Sequence, residues 1–294
     1  MEDFKDKVVV ITGAGGGIGR AHALEFAKRG AKVVVNDLGG SADGSGQSDA
    51  ADAVVEQIKK DGGEAIANKA SVSDKAGAKS IIDDAVAAYG TVDILVNNAG
   101  ILRDKSFKKM TLDDWDLVMD VHLNGTAYVT HAAWPIMYDK NWGRIVLTSS
   151  TSGIFGNFGQ ANYGAAKMGM VGLMNVLALE GASHNVRVNT LAPAAATRLT
   201  NTIPGREEDL DNPDPARAPE LVTPAVLWMC REEAPTGKIV QAGNGRYSLA
   251  SLYSNEGVNL GAGTTLEDLM DAEDKFTDMS AAEEGWWARN HRGG

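Results

Sequence analysis

Short β-branched and apolar runs recur along the chain, at Val8–Ile11, Lys32–Val35, Ile94–Val96, Ile145–Leu147 and Val186–Leu191, with Ala65–Ala67 a weaker candidate. Unbroken apolar runs mark strands covered on both faces, and the stretches between them carry apolar residues at helical spacing. This alternation predicts repeated βαβ units with right-handed crossovers, hence an α/β fold with a single doubly wound parallel sheet and helices on both faces. Gly237–Gln241 reads as the last strand. Residues 1–246 are taken as this domain and 247–294 as its C-terminal extension, with TTLEDLMDAEDKF as a helix opening on a Thr cap. Gly39–Gly46 reads as a mobile surface loop before a helix starting near Ser48 or Asp49, and the proline- and acid-rich Ile203–Pro224 segment as a lid or substrate loop.

Composition narrows the partners. No apolar run approaches the roughly 20 residues that span a bilayer. The N-terminal acids lead straight into a glycine loop rather than a signal-peptide core, so a cytoplasmic protein is expected. Cys230 stands alone and reads as a small core residue, while the five histidines lack metal-ligand spacing, so no metal is expected. A net charge of -11 argues against nucleic acid as a partner. An anionic ligand must therefore be held by local donors.

The first strand supplies such donors by running into Thr12–Arg20, TGAGGGIGR. Gly13 permits a tight turn, Gly17 lets backbone approach a pyrophosphate, and Gly19 allows close helix–strand packing, while the helix N-terminus offers unpaired N–H groups. This is the pattern of a Rossmann dinucleotide site. Asp37 ends the second strand, where a carboxylate accepts both ribose hydroxyls and repels a 2′-phosphate, so NAD is the expected cofactor. Tyr163 and Lys167 stand four apart, on one helix face, with Ser150 thirteen residues before the tyrosine. A lysine cation beside the phenol is expected to lower its pKa towards neutrality and make it a general base.

In these residues the chain resembles the short-chain dehydrogenase/reductase family over roughly residues 5–245: Thr12–Gly19, NNAG at Asn97–Gly100, Asn124 in VHLNG, Ser150 and Tyr163–Lys167. The resemblance implies a catalytic tetrad of Asn124, Ser150, Tyr163 and Lys167. It also implies cofactor contacts at Ile18, Ser71, Val72, Asn97, Ala99, Gly100, Pro193 and Thr197, besides Gly13, Gly17, Gly19, Asp37, Tyr163 and Lys167. In these roles Tyr163 takes the alcohol proton, Ser150 hydrogen-bonds the substrate oxygen, Lys167 supports the phenolate and holds the ribose, and Asn124 holds a relay water. The chain departs from the family at Ser71, often Asp, and at Ala194, often Gly.

Within the family, VVVNDLGG, NNAGILRDKSF, HLNGT and TSSTSGIFGNFGQANYGAAK are similar to the (3R)-hydroxyacyl-CoA dehydrogenase part of peroxisomal multifunctional enzymes, which also carry 17β-hydroxysteroid activity. This implies NAD-dependent oxidation of a 3-hydroxyacyl-CoA, with a long, branched or steroid-derived chain. A 17β-hydroxysteroid or other free secondary-alcohol dehydrogenase is the alternative, and a non-catalytic NAD-binding regulator a reading of another class. Arg103, Lys105, Lys108 and Lys109 form a basic patch suited to coenzyme A phosphates or to plain solvation; Phe155 and Phe158 suit an acyl or sterol pocket or the core. The resemblance also implies a homodimer or homotetramer packed through helices near Leu112–Met137 and Ala161–Gly181.

Overall fold

The computed structural model describes residues 4–46, 48–197, 199, 201 and 214–285. These divide into two compact units, 1–249 and 250–294.

In the first unit strands and helices alternate as β1 (Val8–Thr12), α1 (Gly17–Lys28), β2 (Lys32–Asn36), α2 (Ala50–Lys60), β3 (Glu64–Asn68), α3 (Lys75–Tyr89) and β4 (Ile94–Asn97). There follow α4 (Leu112–Met119), a π turn over Asp120–Asn124, α5 (Gly125–Asp139), β5 (Gly143–Thr148), α6 (Thr151–Phe155), α7 (Ala161–Glu180), β6 (Val186–Ala194), α8 (Thr223–Cys230), β7 (Ile239–Gly243) and β8 (Arg246–Ala250). The strands form one sheet in the order β3-β2-β1-β4-β5-β6-β7-β8, parallel throughout the pairings from β3 to β7. The expected strands are all present. β7 starts two residues later than Gly237, and β8 is an added edge strand, returned by Asn244 and Gly245, both at positive φ as a tight hairpin requires.

Alternate residues of each central strand enter opposite layers. Val9, Ile11, Val33, Val35, Ile94, Val96 and Val146 join the core under α1, α2 and α8, while Val10, Leu95, Ile145 and Leu147 are buried towards α3, α5 and α7. Each such side chain contributes about 1.5–3 kcal/mol by leaving water, which is why these strands read as unbroken apolar runs. Cys230 lies in the first of these layers as a buried thiol, and burial raises its pKa.

The strand order reverses direction between β1 and β4, so the loops at their carboxyl ends diverge and leave a crevice. Gly39–Gly46 is drawn into this region: Leu102 N–H donates to Ala42 O (3.0 Å), and Arg103 Nε to Asp43 O (2.7 Å). Of the segment read as a lid, residues 203–213 lie outside those described; Pro215–Arg217 and Pro219–Leu221 form single 3-10 turns.

In the second unit, β9 (Tyr253–Ser254) pairs antiparallel with β10 (Glu283–Glu284). The expected helix is split into α9 (Leu266–Asp271) and α10 (Glu273–Thr277). It does open on a Thr cap, with Thr265 and Asp268 forming a reciprocal capping box.

Candidate active site

A cavity of about 390 Å³ occupies the crevice, walled by the loops that follow β1 to β4 and by Thr197 beyond β6. Of the residues expected to meet a dinucleotide, Gly13, Gly17, Ile18, Asp37, Ser71, Val72, Ala99, Gly100 and Thr197 line it. Gly19 and Asn97 act from behind the wall. A Cβ on Gly19 would lie 2.2 Å from Gly13 O, so this glycine is what lets α1 close against the loop. Asn97 is buried and donates to Thr130 Oγ1 at 2.9 Å. Pro193 sits in β6 opposite Ala242, outside the cavity lining. At Ala194, where the family often has glycine, the paired Gly243 takes the close approach: a Cβ on Gly243 would stand 2.1 Å from Ala194 O.

The glycine loop is held by Thr12, whose hydroxyl accepts from the N–H groups of Asn98 (3.0 Å) and Ala99 (3.1 Å). The Asn98 amide donates back to Gly13 O at 2.9 Å. Asp37, which lines the cavity, accepts from Gly15 N–H and Gly39 N–H, both at 2.7 Å. Buried Asn36 fixes the next loop by donating to Asn68 Oδ1 and Ala70 O, both at 2.9 Å, which sets Ser71 and Val72 in place. Glycines that admit close backbone approach, a helix N-terminus and a strand-end carboxylate together fit a dinucleotide. Asn98 belongs to the NNAG stretch that the resemblance already assigned to the cofactor's adenosine side, whereas Asn36 and Gly40–Ala42, which also line the cavity, carried no such signal in the sequence.

Beside this wall, Ser150 ends the β5 loop as the cap of α6, and Tyr163 and Lys167 project from α7. The first turn of α7 is anchored by buried Asn162, whose amide donates to Asp114 O at 3.2 Å. Gln160, also buried, donates to Asp104 Oδ2 (2.6 Å) and accepts from Ser152 Oγ (2.7 Å), tying the loop before α7 to the one after β4. The Lys167 ammonium is buried 5.3 Å from the Tyr163 ring centroid and donates to Thr148 O at 2.5 Å. Burial lowers its pKa to about 7.

The phenol does not follow the expectation drawn from the four-residue spacing. Burial raises the Tyr163 pKa to about 12, opposed by the hydrogen bond of Ser150 and reinforced by the Asp104 charge. Lys167 donates a hydrogen bond to the Thr148 carbonyl, and at the phenol desolvation wins over the neighbouring charge.

Asn124 ends the π turn that leads into α5. Its amide donates to Asp120 Oδ1, one turn back in the π turn. His122 is buried instead against Tyr163, with ring centroids 5.1 Å apart and planes at 88°. Residues two apart on a helix point roughly 200° away from each other, so only one of this pair can face the phenol.

The basic patch is partly neutralised. Lys105 and Arg103 both reach the nearly buried Asp114, at 2.8 and 3.5 Å, while Lys108 and Lys109 are exposed. Phe155 and Phe158 are 70% and 91% exposed, so neither serves the core.

A doubly wound sheet with this glycine loop and a Ser, Tyr and Lys beside it defines an oxidoreductase of the dinucleotide-binding class. The chain belongs to the short-chain dehydrogenase/reductase family, whose profile, described as short chain dehydrogenase, matches residues 7–208. A short-chain type dehydrogenase/reductase of Mycobacterium tuberculosis is 47% identical over 286 residues, 96% of this chain and 98% of the relative. Peroxisomal multifunctional enzyme type 2 of Mus musculus is 52% identical over 82% of this chain, and peroxisomal hydratase-dehydrogenase-epimerase of Saccharomyces cerevisiae 53% identical over 78%. The chain spans only 32% and 25% of those two relatives. Among solved structures, full-length peroxisomal multifunctional enzyme type 2 of Drosophila melanogaster superposes with a TM-score of 0.78 at 40% identity, covering 96% of this chain and 47% of that one. A short chain dehydrogenase from Mycobacterium avium superposes at 0.80 and 39% identity, covering 92% and 94%. No helix among the described residues is long and apolar enough to cross a membrane.

Proposed function

We propose that this chain is an NAD-dependent dehydrogenase of secondary alcohols whose substrate is a 3-hydroxyacyl-CoA with a long, branched or steroid-derived acyl chain. The observation that carries the reading is the convergence of Ser150, Tyr163 and Lys167 beside a cavity built for a dinucleotide. Support for NAD comes from Asp37, a carboxylate where a 2′-phosphate would have to sit. Support for the thioester comes from the relatives named multifunctional enzymes and hydratase-dehydrogenase-epimerase, together with the exposed Phe155 and Phe158 just before Tyr163. The exposed Lys108 and Lys109 are the part of the basic patch left to meet phosphates.

The bound dinucleotide supplies the hydride acceptor. Tyr163 exchanges the proton of the substrate oxygen: its phenol gives the proton in ketone reduction, and its phenolate takes it in alcohol oxidation. Ser150 hydrogen-bonds the same oxygen as charge builds on it. Lys167, held by Thr148 O, lies close enough to stabilise the phenolate once it forms. Gly17, Asp37 and Ala99 hold the dinucleotide from the cavity wall. The exposed Val176 and Leu179 of α7 support association into a homodimer or homotetramer through that helix.

The test is NADH formation across (3R)- and (3S)-hydroxyacyl-CoAs, their free acids and 17β-hydroxysteroids. A signal confined to the CoA thioesters supports the proposal. Turnover of free steroids alone favours the second reading, a hydroxysteroid dehydrogenase, which the same aromatic pair would serve. A protein that turns over none of them, and whose cellular effects survive Tyr163→Phe, is a non-catalytic NAD-binding regulator.

A further inference from the structure

The imidazole of His122 is buried and held from three sides. Its Nε2 lies 2.7 Å from Ile101 O and 3.0 Å from Ile101 N. Its ring meets Tyr163 edge-on, the planes at 88° and the centroids 5.1 Å apart. Its Cε1 fills the space a side chain at position 100 would need: a Cβ on Gly100 would stand 2.4 Å away. Gly100 and Ile101 belong to the wall of the dinucleotide cavity. One side chain thus joins that wall to the phenol. Packing alone does not call for a histidine here, because Nδ1 is buried with no protein partner, an arrangement that costs free energy an apolar side chain would save.

We propose that His122 is a positioning residue for proton transfer, a neutral brace that sets the Tyr163 phenol at a fixed distance from the Gly100–Ile101 wall. The inference rests on the dehydrogenase reading above. Burial, then the charge of Lys167, hold the His122 pKa well below its usual value. The groups facing the phenol are Lys167 on α7, Ser150 beyond β5, Asp104 beyond β4 and His122 itself. A ring that stays neutral braces the phenol without competing with Lys167 as its cation.

Two substitutions separate the brace from simple packing. In His122→Gln the amide nitrogen reaches the place of Nε2 and keeps the Ile101 contact; in His122→Asn the amide is too short to do so. The glutamine variant is expected to keep most of kcat. The asparagine variant is expected to lose kcat by about 10- to 100-fold with KM for the dinucleotide within about threefold, as for a misplaced reacting group. Its alkaline pH limb and the ionisation midpoint of Tyr163 should move together. That midpoint is read from phenolate absorbance, each variant against its own Tyr163→Phe double, with no substrate present. Equal kcat and an unmoved Tyr163 midpoint in the Gln and Asn variants would overturn the brace, as would a glutamine variant as impaired as the asparagine one. If the asparagine variant does not fold, His122→Phe, a ring without nitrogen, takes its place; wild-type kcat there overturns the proposal and a loss supports it. A wild-type protein that oxidises no alcohol counts against the dehydrogenase reading, whereas unchanged phenol ionisation in the variants counts against the brace.

Discussion

The carboxylate of Asp37 accepts the backbone N–H of Gly15 at 2.7 Å, so the end of β2 and the turn after β1 are locked as one unit. A second N–H, from Gly39, reaches the other carboxylate oxygen at the same distance. Charge-assisted bonds of this kind contribute about 1.5–3 kcal/mol each. Asp37→Ser is therefore expected to lower kcat/KM for NAD by about 10- to 100-fold while the ratio of NADP to NAD activity rises. Cofactor titrations on the same preparation measure both. An unchanged ratio would remove Asp37 from cofactor choice.

Tyr163→Phe deletes one hydroxyl and leaves the ring that packs on His122. Loss of a general acid–base group lowers kcat by roughly 10²–10⁴-fold. The melting temperature and NADH binding should stay close to those of the wild type. Activity within tenfold of the wild type would place proton transfer on another group.

Lys167 makes the pH dependence of stability unusual. Its folded pKa is about 7 against the usual 10.5, so between those values the unfolded chain holds more protons than the folded one. Stability should therefore rise with pH across that window, the penalty of burying the ammonium being full below it. Tyr163 acts in the opposite sense at higher pH: its folded pKa of about 12 exceeds the usual 10.0, so its contribution is lost as pH climbs from one to the other. Lys167→Met should abolish activity yet stabilise the protein near neutrality, on the order of 1–3 kcal/mol, and flatten the slope between 7 and 10.5. Urea midpoints at several pH values inside the window decide it.

Two glycines respond in opposite directions to alanine. A Cβ on Gly19 meets Gly13 O at 2.2 Å, backbone that cannot swing aside, so Gly19→Ala should destabilise by about 1–3 kcal/mol and weaken dinucleotide binding. Gly172, exposed within α7, has nothing within 4 Å of that position, and Gly172→Ala should stabilise by up to ~1 kcal/mol through helix propensity. Thermal melts of the two variants with and without NADH separate strain from propensity.

Sequence alone determined the elements and their order, because burial on both faces leaves unbroken runs such as Val8–Ile11, and a parallel sheet with right-handed crossovers then admits few arrangements. It also determined the glycine loop and the strand-end Asp37, whose chemistry is local: turn, helix terminus and carboxylate lie within one βαβ unit. Tertiary structure decided what depends on facing and burial. Whether His122 or Asn124 meets the phenol depends on how the helix presents its sides. Whether Tyr163 is made more acidic or less depends on the balance of desolvation against a lysine engaged elsewhere, and whether Arg103 and Lys105 are open to a ligand depends on how the first turn of α4 presents Asp114 to them. Spacing along a chain carries periodicity, but dielectric surroundings and competition between partners exist only once distant segments have packed together.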